Sequence, residues 1–319
     1  MLSRVAENLY WLGRYVERAE NAARIVTVNA NLLLDLPGGL APGWQPLIAI
    51  TGSEDTYCAK YPDYDEHNVV SFLVGDLDYP NSILACLNYA RENARTIRDI
   101  VPREAWERIN ELFLFAQGHL QSGLSKRGRF AYLREIIQGS QTITGMLAGT
   151  MNHDAGYEFL CIGQMLERGD MTTRIIDVRS ATLLPEMASE LIPYENIQWI
   201  SVLKSLTAYQ MYRQKMQVRV RREDALRFLF QNEDFPRSFY YCVSSVESSV
   251  RELPRNDSVR RTLTRLKRNA RSADVATLSR DNVQLHDFID RLQIDLGRVH
   301  SAVADTYFLP AQSGSGPAA

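Results

Sequence analysis

The sequence predicts an all-α fold, a helical bundle built from two tandem, pseudo-symmetric helical repeats. Three observations lead there. Apolar residues recur at helical spacing along most of the chain. No pair of alternating segments is joined by hairpin turn chemistry. Finally, segments of the first half reappear, in the same order, in the second.

The first helix should run from Ser3 to about Leu34, because Leu9, Leu12, Val16, Ala19, Ala23 and Val26 form one apolar stripe. Ser3 is suited to cap it, and Leu36-Pro37-Gly38-Gly39 ends it and opens a connector to Pro46. Shorter helices are expected over 44–61 and 66–75, with Pro62, Asp63 and Asp65 turning the chain between them. A long helix should start near Pro80, since proline at the first helical position sacrifices no hydrogen bond. Helical patterns then fill 102–120, 126–150, 156–181, 187–216, 223–231, 236–253, 257–271 and 275–308. The tail, AQSGSGPAA, is small and polar and reads as flexible over 311–319.

Residues 8–28 align without gaps on 158–178. The identities are Gly13/Gly163, Glu17/Glu167, Arg18/Arg168, Arg24/Arg174, Ile25/Ile175 and Val28/Val178, and Glu20/Asp170 keeps its charge. Residues 72–95 match 228–251 through Phe72/Phe228, Leu73/Leu229, Asp78/Asp234, Pro80/Pro236, Ser82/Ser238, Cys86/Cys242 and Arg95/Arg251, with Tyr79/Phe235 conservative. The offsets, 150 and 156, differ by no more than a short insertion would absorb. The expected organisation is therefore a first repeat over 1–150 and a second over 151–310, packed as one compact unit about a pseudo-twofold axis.

On a helical wheel, Gly13, Glu17, Glu20 and Arg24 fall within about 60° of one another, as do Gly163, Glu167, Asp170 and Arg174. The apolar stripe lies to one side, which separates this charged face from the core face. Exposed i,i+4 pairs, worth about 0.3–0.5 kcal/mol each, would account for Glu20–Arg24 and Asp170–Arg174. They would not account for a glycine kept at mid-helix in both copies, where it costs about 1 kcal/mol against alanine. A buried polar network where the halves meet ranks first, a ligand cavity second and solvated faces third. The run Arg91-Glu92-Asn93-Ala94-Arg95 echoes residues 20–24, which would bring Asn93 and Arg95 to the same centre on a third polar helix.

Other chemistry has little support. Cys58, Cys86, Cys161 and Cys242 form no CxxC pair, so each reads as a small buried residue in a reducing compartment rather than a nucleophile. No histidine follows a glutamate at Glu-x-x-His spacing, and there is no GxxxxGK[ST], GxGxxG or HExxH, so neither metal nor cofactor is expected. His153-Asp154 reads as loop and cap. The stretch 251–271 carries eight basic residues but no interleaved aromatics, so a solvated face is favoured over nucleic acid binding. A net charge of −2 points the same way. With no signal-like N-terminus and no long apolar run, the expected location is cytoplasmic, with no membrane contact. Assembly with further copies of the chain stays open.

The double Glu-Arg signature resembles the bacterial α-E family. The residues that carry the resemblance are Ser3, Arg4, Asn8, Tyr10, Trp11, Gly13, Arg14, Glu17, Arg18, Glu20, Asn21 and Arg24, with the later segments PNSILACLNYARENAR, LERGDMTTRIID and FPRSFYYCV. The second copy departs at Trp11/Cys161, Tyr10/Leu160 and Asn21/Met171, so a role needing those side chains would belong to the first half. The resemblance implies company with a circularly permuted ATP-grasp ligase and a transglutaminase-like peptidase, and hence a setting of amide-bond formation or peptide tagging. The first expectation is a non-catalytic partner of that ligase. The second is an enzyme with Glu17 or Glu167 as base and Arg24 or Arg174 steadying a carboxylate, and the third is a polyanion binder.

Overall fold

A computed structural model describes residues 2–35, 43–181, 192–216 and 219–308. The helices are α1 (Ser3–Asp35), α2 (Gln45–Thr51), α3 (Glu54–Cys58), α4 (Glu66–Gly75), α5 (Ile83–Thr96), α6 (Arg103–Gly118), α7 (Leu120–Leu124) and α8 (Arg129–Thr150). They continue as α9 (Ala155–Ala181), α10 (Ile192–Ser205), α11 (Tyr209–Met216), α12 (Arg222–Gln231), α13 (Phe239–Arg251), α14 (Asp257–Arg271), α15 (Val275–Leu278) and α16 (Asn282–Val303). A π-helical turn, Ala304–Phe308, follows. No strand occurs among the described residues. The fold is all-α.

Several expected helices are shorter than their patterns. The 44–61 segment splits at Gly52, whose φ of 62° closes α2 in the left-handed region. The 187–216 pattern breaks after Ser205, where Thr207 takes a φ of 52°. In 275–308, Asp281 accepts hydrogen bonds from the Val283 and Gln284 amides and starts a new helix. The helix expected at Pro80 begins at Ile83, because the Ser82 hydroxyl caps it by accepting from the Ala85 amide at 3.1 Å. Ser238 does the same for the Tyr241 amide. The carbonyls of Pro80 and Pro236 accept from the thiols of Cys86 and Cys242, so proline, serine and cysteine together shape each helix entrance. The Pro37-Gly38-Gly39 stop and the 311–319 tail lie outside the described residues.

The molecule is organised on α1 and α9, which pack against each other. Contacts climb both together, from Leu9 over Gly156 through Gly13 against Leu160 to Glu17 against Arg168, so the helices run parallel. Around the pair, α5 and α8 pack on α1, while α13 and α16 pack on α9. The π-turn closes one end, with Phe308 against Tyr10 and Tyr307 against Phe159.

This surrounding overturns one expectation. The charged face of α1 is not separate from its core face. Ala19, Glu20, Asn21, Ala22 and Ala23 are consecutive and all buried, as is Glu17. A helix enclosed by α5, α8, α9 and α10 has no solvent side at its middle, and the 3.6-residue stripe marks only its most apolar flank.

The two retained glycines set the spacing of the pair. A Cβ on Gly13 would fall on the Leu160 carbonyl oxygen, and one on Gly163 would fall on that of Tyr10. Each helix therefore presses its bare backbone against the other's, which no larger residue allows. By contrast, a Cβ on Gly145 in α8 would meet nothing within 4 Å. Gly163→Ala should lower the free energy of unfolding in urea by about 1–3 kcal/mol, its helix-propensity gain outweighed by the clash. Gly145→Ala should raise it by up to about 1 kcal/mol. Equal effects would contradict the close crossing.

Candidate functional site

One turn beyond the glycines, the two Glu-Arg pairs engage each other across the helices. Arg168 of α9 donates from Nε and Nη2 to Glu17 of α1, at 3.0 and 2.7 Å. Reciprocally, Arg18 of α1 donates from Nε and Nη2 to Glu167 of α9, at 2.6 and 2.8 Å. Both contacts are bidentate, the geometry in which a planar guanidinium matches a carboxylate best. Adjacency in sequence is what makes this possible. Residues i and i+1 point about 100° apart on a helix, so each helix can offer an acceptor and a donor to the same neighbour.

A second arginine reaches each carboxylate. Arg14 donates to Glu167 Oε2 at 2.8 Å, and Arg237, in the turn that leads into α13, donates to Glu17 Oε1 at 2.7 Å. Arg237 also reaches Asn21 and Glu20, both at 2.8 Å. The position of Arg14 is taken in α9 by Gln164, which donates to Glu17. Asn81 stands where Arg237 stands in the second half and accepts from Arg18. Each glutamate thus has two guanidiniums: Glu167 takes both from α1, and Glu17 takes one from α9 and one from the turn before α13.

Glu20–Arg24 and Asp170–Arg174 form the i,i+4 pairs that spacing suggests. The first is enclosed, with Gln141 and Arg237 against Glu20, and the second is partly open. The polar centre extends outward through Tyr10, whose hydroxyl contacts both Arg14 and His300 Nδ1.

Burial alone would raise the pKa of both glutamates, but the facing arginines outweigh it. Arg168 and then Arg237 hold Glu17 well below the usual carboxylate range, and Arg18 with Arg14 brings Glu167 to about 2. Both are therefore held ionised near neutral pH with their oxygens committed to arginines, which makes them weak general bases. Burial pushes the Cys86 and Cys242 thiols up to about 12, and Cys161 to about 11, the wrong direction for nucleophiles.

A family model described as a predicted alpha-helical domain with a conserved ER motif matches residues 1–308. The chain belongs to the Alpha-E family. Uncharacterized proteins of Mycobacterium bovis and Mycobacterium tuberculosis are each 24% identical to it over 270 residues, covering 79% of this chain and 30% of their own length. A further Mycobacterium tuberculosis relative is 23% identical over the same length. The chain therefore spans less than a third of these curated relatives. No solved structure matches it.

The remaining candidates fall away from the Alpha-E centre. Arg95 does not join it, being exposed and paired with Glu92 of its own helix, while Arg91 turns to Asn110; Asn93 is half-buried on that helix. The echo of residues 20–24 matched composition but not the helix face. His153 contacts the Ala148 carbonyl, and Asp154 accepts from the Gly156 amide, so both serve the turn into α9. In 251–271, Arg251 and Lys267 pair with Glu247, Arg265 with Asp295 and Arg271 with Glu233. Among the described residues, no group of three or more His, Cys, Asp or Glu side chains could hold a metal ion. No described helix is long and apolar enough to cross a membrane.

Arg14, Gln164, Asn81 and Arg237 were missing from the candidate centre. The signal was the difference between the matched segments rather than the identity: Arg14/Gln164 and Asn81/Arg237 exchange a charge in opposite directions.

Glu17→Gln removes the charge facing Arg168 and Arg237, and should cost about 3–5 kcal/mol in chemical denaturation. Glu92→Gln, beside exposed Arg95, should cost less than about 1 kcal/mol. Because the Glu167 pKa drops from 4.5 to about 2 on folding, its carboxylate contributes fully above about pH 4.5. That contribution, about 3 kcal/mol, is lost as pH falls towards 2. Stability measured from pH 5 to 2.5 should fall steeply in the parent protein and less steeply in Glu167→Gln. Parallel profiles would contradict the assignment.

Proposed function

We propose that this Alpha-E domain is a non-catalytic helical partner of a circularly permuted ATP-grasp amide ligase, in a peptide-bond-forming or peptide-tagging setting. A transglutaminase-like peptidase is the further partner. The observation that carries the reading is the state of the ER centre. Its glutamates are buried, ionised and each held by two arginines, which suits a fixed joint between helices rather than a reacting group. On this reading 1–150 and 151–310 are two fused copies of one helical unit, and the centre keeps them in register.

Two further points support a role as a module. The curated relatives carry a matching segment within chains more than three times its length, so such a domain operates in covalent company. The family resemblance supplies the nature of that company. ATP-grasp enzymes join carboxylates to amines through acyl phosphates, and the ligase would supply that chemistry itself. The enzymatic alternative would need a base other than Glu17 or Glu167.

Co-expression with an ATP-grasp ligase of the same organism tests the proposal. The two proteins should co-purify through size exclusion, and the helical protein should change the rate of ligase-dependent ADP release. Absence of a complex together with an unchanged rate would refute it.

A further inference from the structure

Arg237 fills a slot whose counterpart across the helix crossing is open. In the matched segments 72–95 and 228–251, Asn81 corresponds to Arg237 and Tyr79 to Phe235. The Arg237 guanidinium reaches Glu17, Asn21 and Glu20 at 2.7–2.8 Å. At the corresponding place the shorter Asn81 leaves a pocket of about 90 Å³, bounded by Arg18, Tyr79, Asn81, Glu167, Asp170 and Arg174. Since one water needs roughly 10–15 Å³ of such space, a small polar head group fits.

Hydrogen-bonding capacity around the pocket is left over in a pattern that calls for donors. Glu17 Oε1 accepts from both Arg168 and Arg237, whereas Glu167 Oε1 accepts from Arg18 alone among the described residues. Asp170 uses Oδ2 for Arg174, and no described donor reaches its Oδ1. The Tyr79 hydroxyl is buried, the residue being 3% exposed, and it has no partner among the described residues. Its counterpart beside the filled slot is Phe235, which has no hydroxyl to satisfy. A buried hydroxyl without a partner is costly, and here it occurs on the side where the slot is empty.

The charges lining the two slots correspond, except that Arg14 already gives Glu167 the second arginine that Arg237 gives Glu17. Glu17, Glu20, Arg24 and Arg168 surround Arg237, two carboxylates and two guanidiniums that accommodate a third. Glu167, Asp170, Arg174 and Arg18 offer the same set to the open pocket. The Asp170 and Arg174 side chains are 22% and 32% exposed, against 4% and 11% for Glu20 and Arg24, so a guest has a way in. Arg14 adds one cation behind Glu167 where the other copy has neutral Gln164, which makes a guest less tightly held than Arg237 and able to exchange.

We propose that this pocket binds a guanidinium group presented by another molecule, either an arginine-like small molecule or an arginine side chain of a partner protein. The guest would occupy the position that Arg237 occupies in the second half, donating to Glu167, Asp170 and the Tyr79 hydroxyl. The proposal does not depend on the ligase assignment.

Calorimetric titration of the full chain with agmatine, a blocked arginine tripeptide and cadaverine tests it. A guanidinium probe should bind, and cadaverine should bind about tenfold more weakly or not at all. Tyr79→Phe and Asp170→Asn should each weaken the guanidinium probe about tenfold or more, with circular dichroism unchanged. Asn81→Arg should supply the guest from within, melting at higher temperature and no longer binding the probes. Binding of agmatine assigns the site to small molecules, and binding of the tripeptide alone assigns it to a partner's arginine. Silence from both guanidinium probes, equal affinity for cadaverine, or retained binding by Asn81→Arg would overturn the site.

Discussion

Two parallel helices touch backbone to backbone at Gly13 and Gly163, and just beyond that point each gives its glutamate to the other's arginine. The two features depend on each other. Without the glycines the helices would stand further apart, and the bidentate contacts at 2.6–3.0 Å would open. Without the contacts, Glu17 and Glu167 would stay buried with one arginine each in place of two, a costly arrangement in an interior that solvates charge poorly. The other helices pack around a pair already fixed in separation and register, with α5 and α8 on one member and α13 and α16 on the other.

Such a centre specifies more than it stabilises. Taking carboxylates and guanidiniums out of water costs several kcal/mol per ion, and good geometry roughly offsets that cost. Apolar residues of similar volume could hold two helices together as firmly. They would not dictate which turn of α1 faces which turn of α9, because apolar contacts are non-directional. Bidentate pairs are directional, and a slip of one residue would leave both carboxylates facing the wrong groups.

The centre is even in charge but not in construction. Each glutamate has two arginines, yet Glu167 takes its second from α1 itself and Glu17 takes its second from the turn before α13. Exchanging Arg14 for Gln164 and Asn81 for Arg237 moves one guanidinium from one side to the other. One flank is thereby filled by the protein's own arginine, and the other keeps a polar recess beside Asp170 and Arg174.

The sequence by itself determined the all-α class, most helix positions, the presence of a polar centre, and the residues Gly13, Glu17, Gly163 and Glu167 at its heart. Spacing along one helix carries that information. It could not show that Glu17 reaches Arg168 rather than a residue of α1, because an i,i+4 partner and a partner on another helix leave the same mark in one dimension. It set the charged face of α1 apart from the core face, since burial depends on what surrounds a helix and not on its own periodicity. It drew Asn93 and Arg95 towards the centre, where helix rotation turns Arg95 to Glu92 and solvent. The partners of Arg14, Asn81 and Arg237 became readable in three dimensions, because their roles arise from elements brought together across more than sixty residues, and distance through space is a property of the tertiary fold alone.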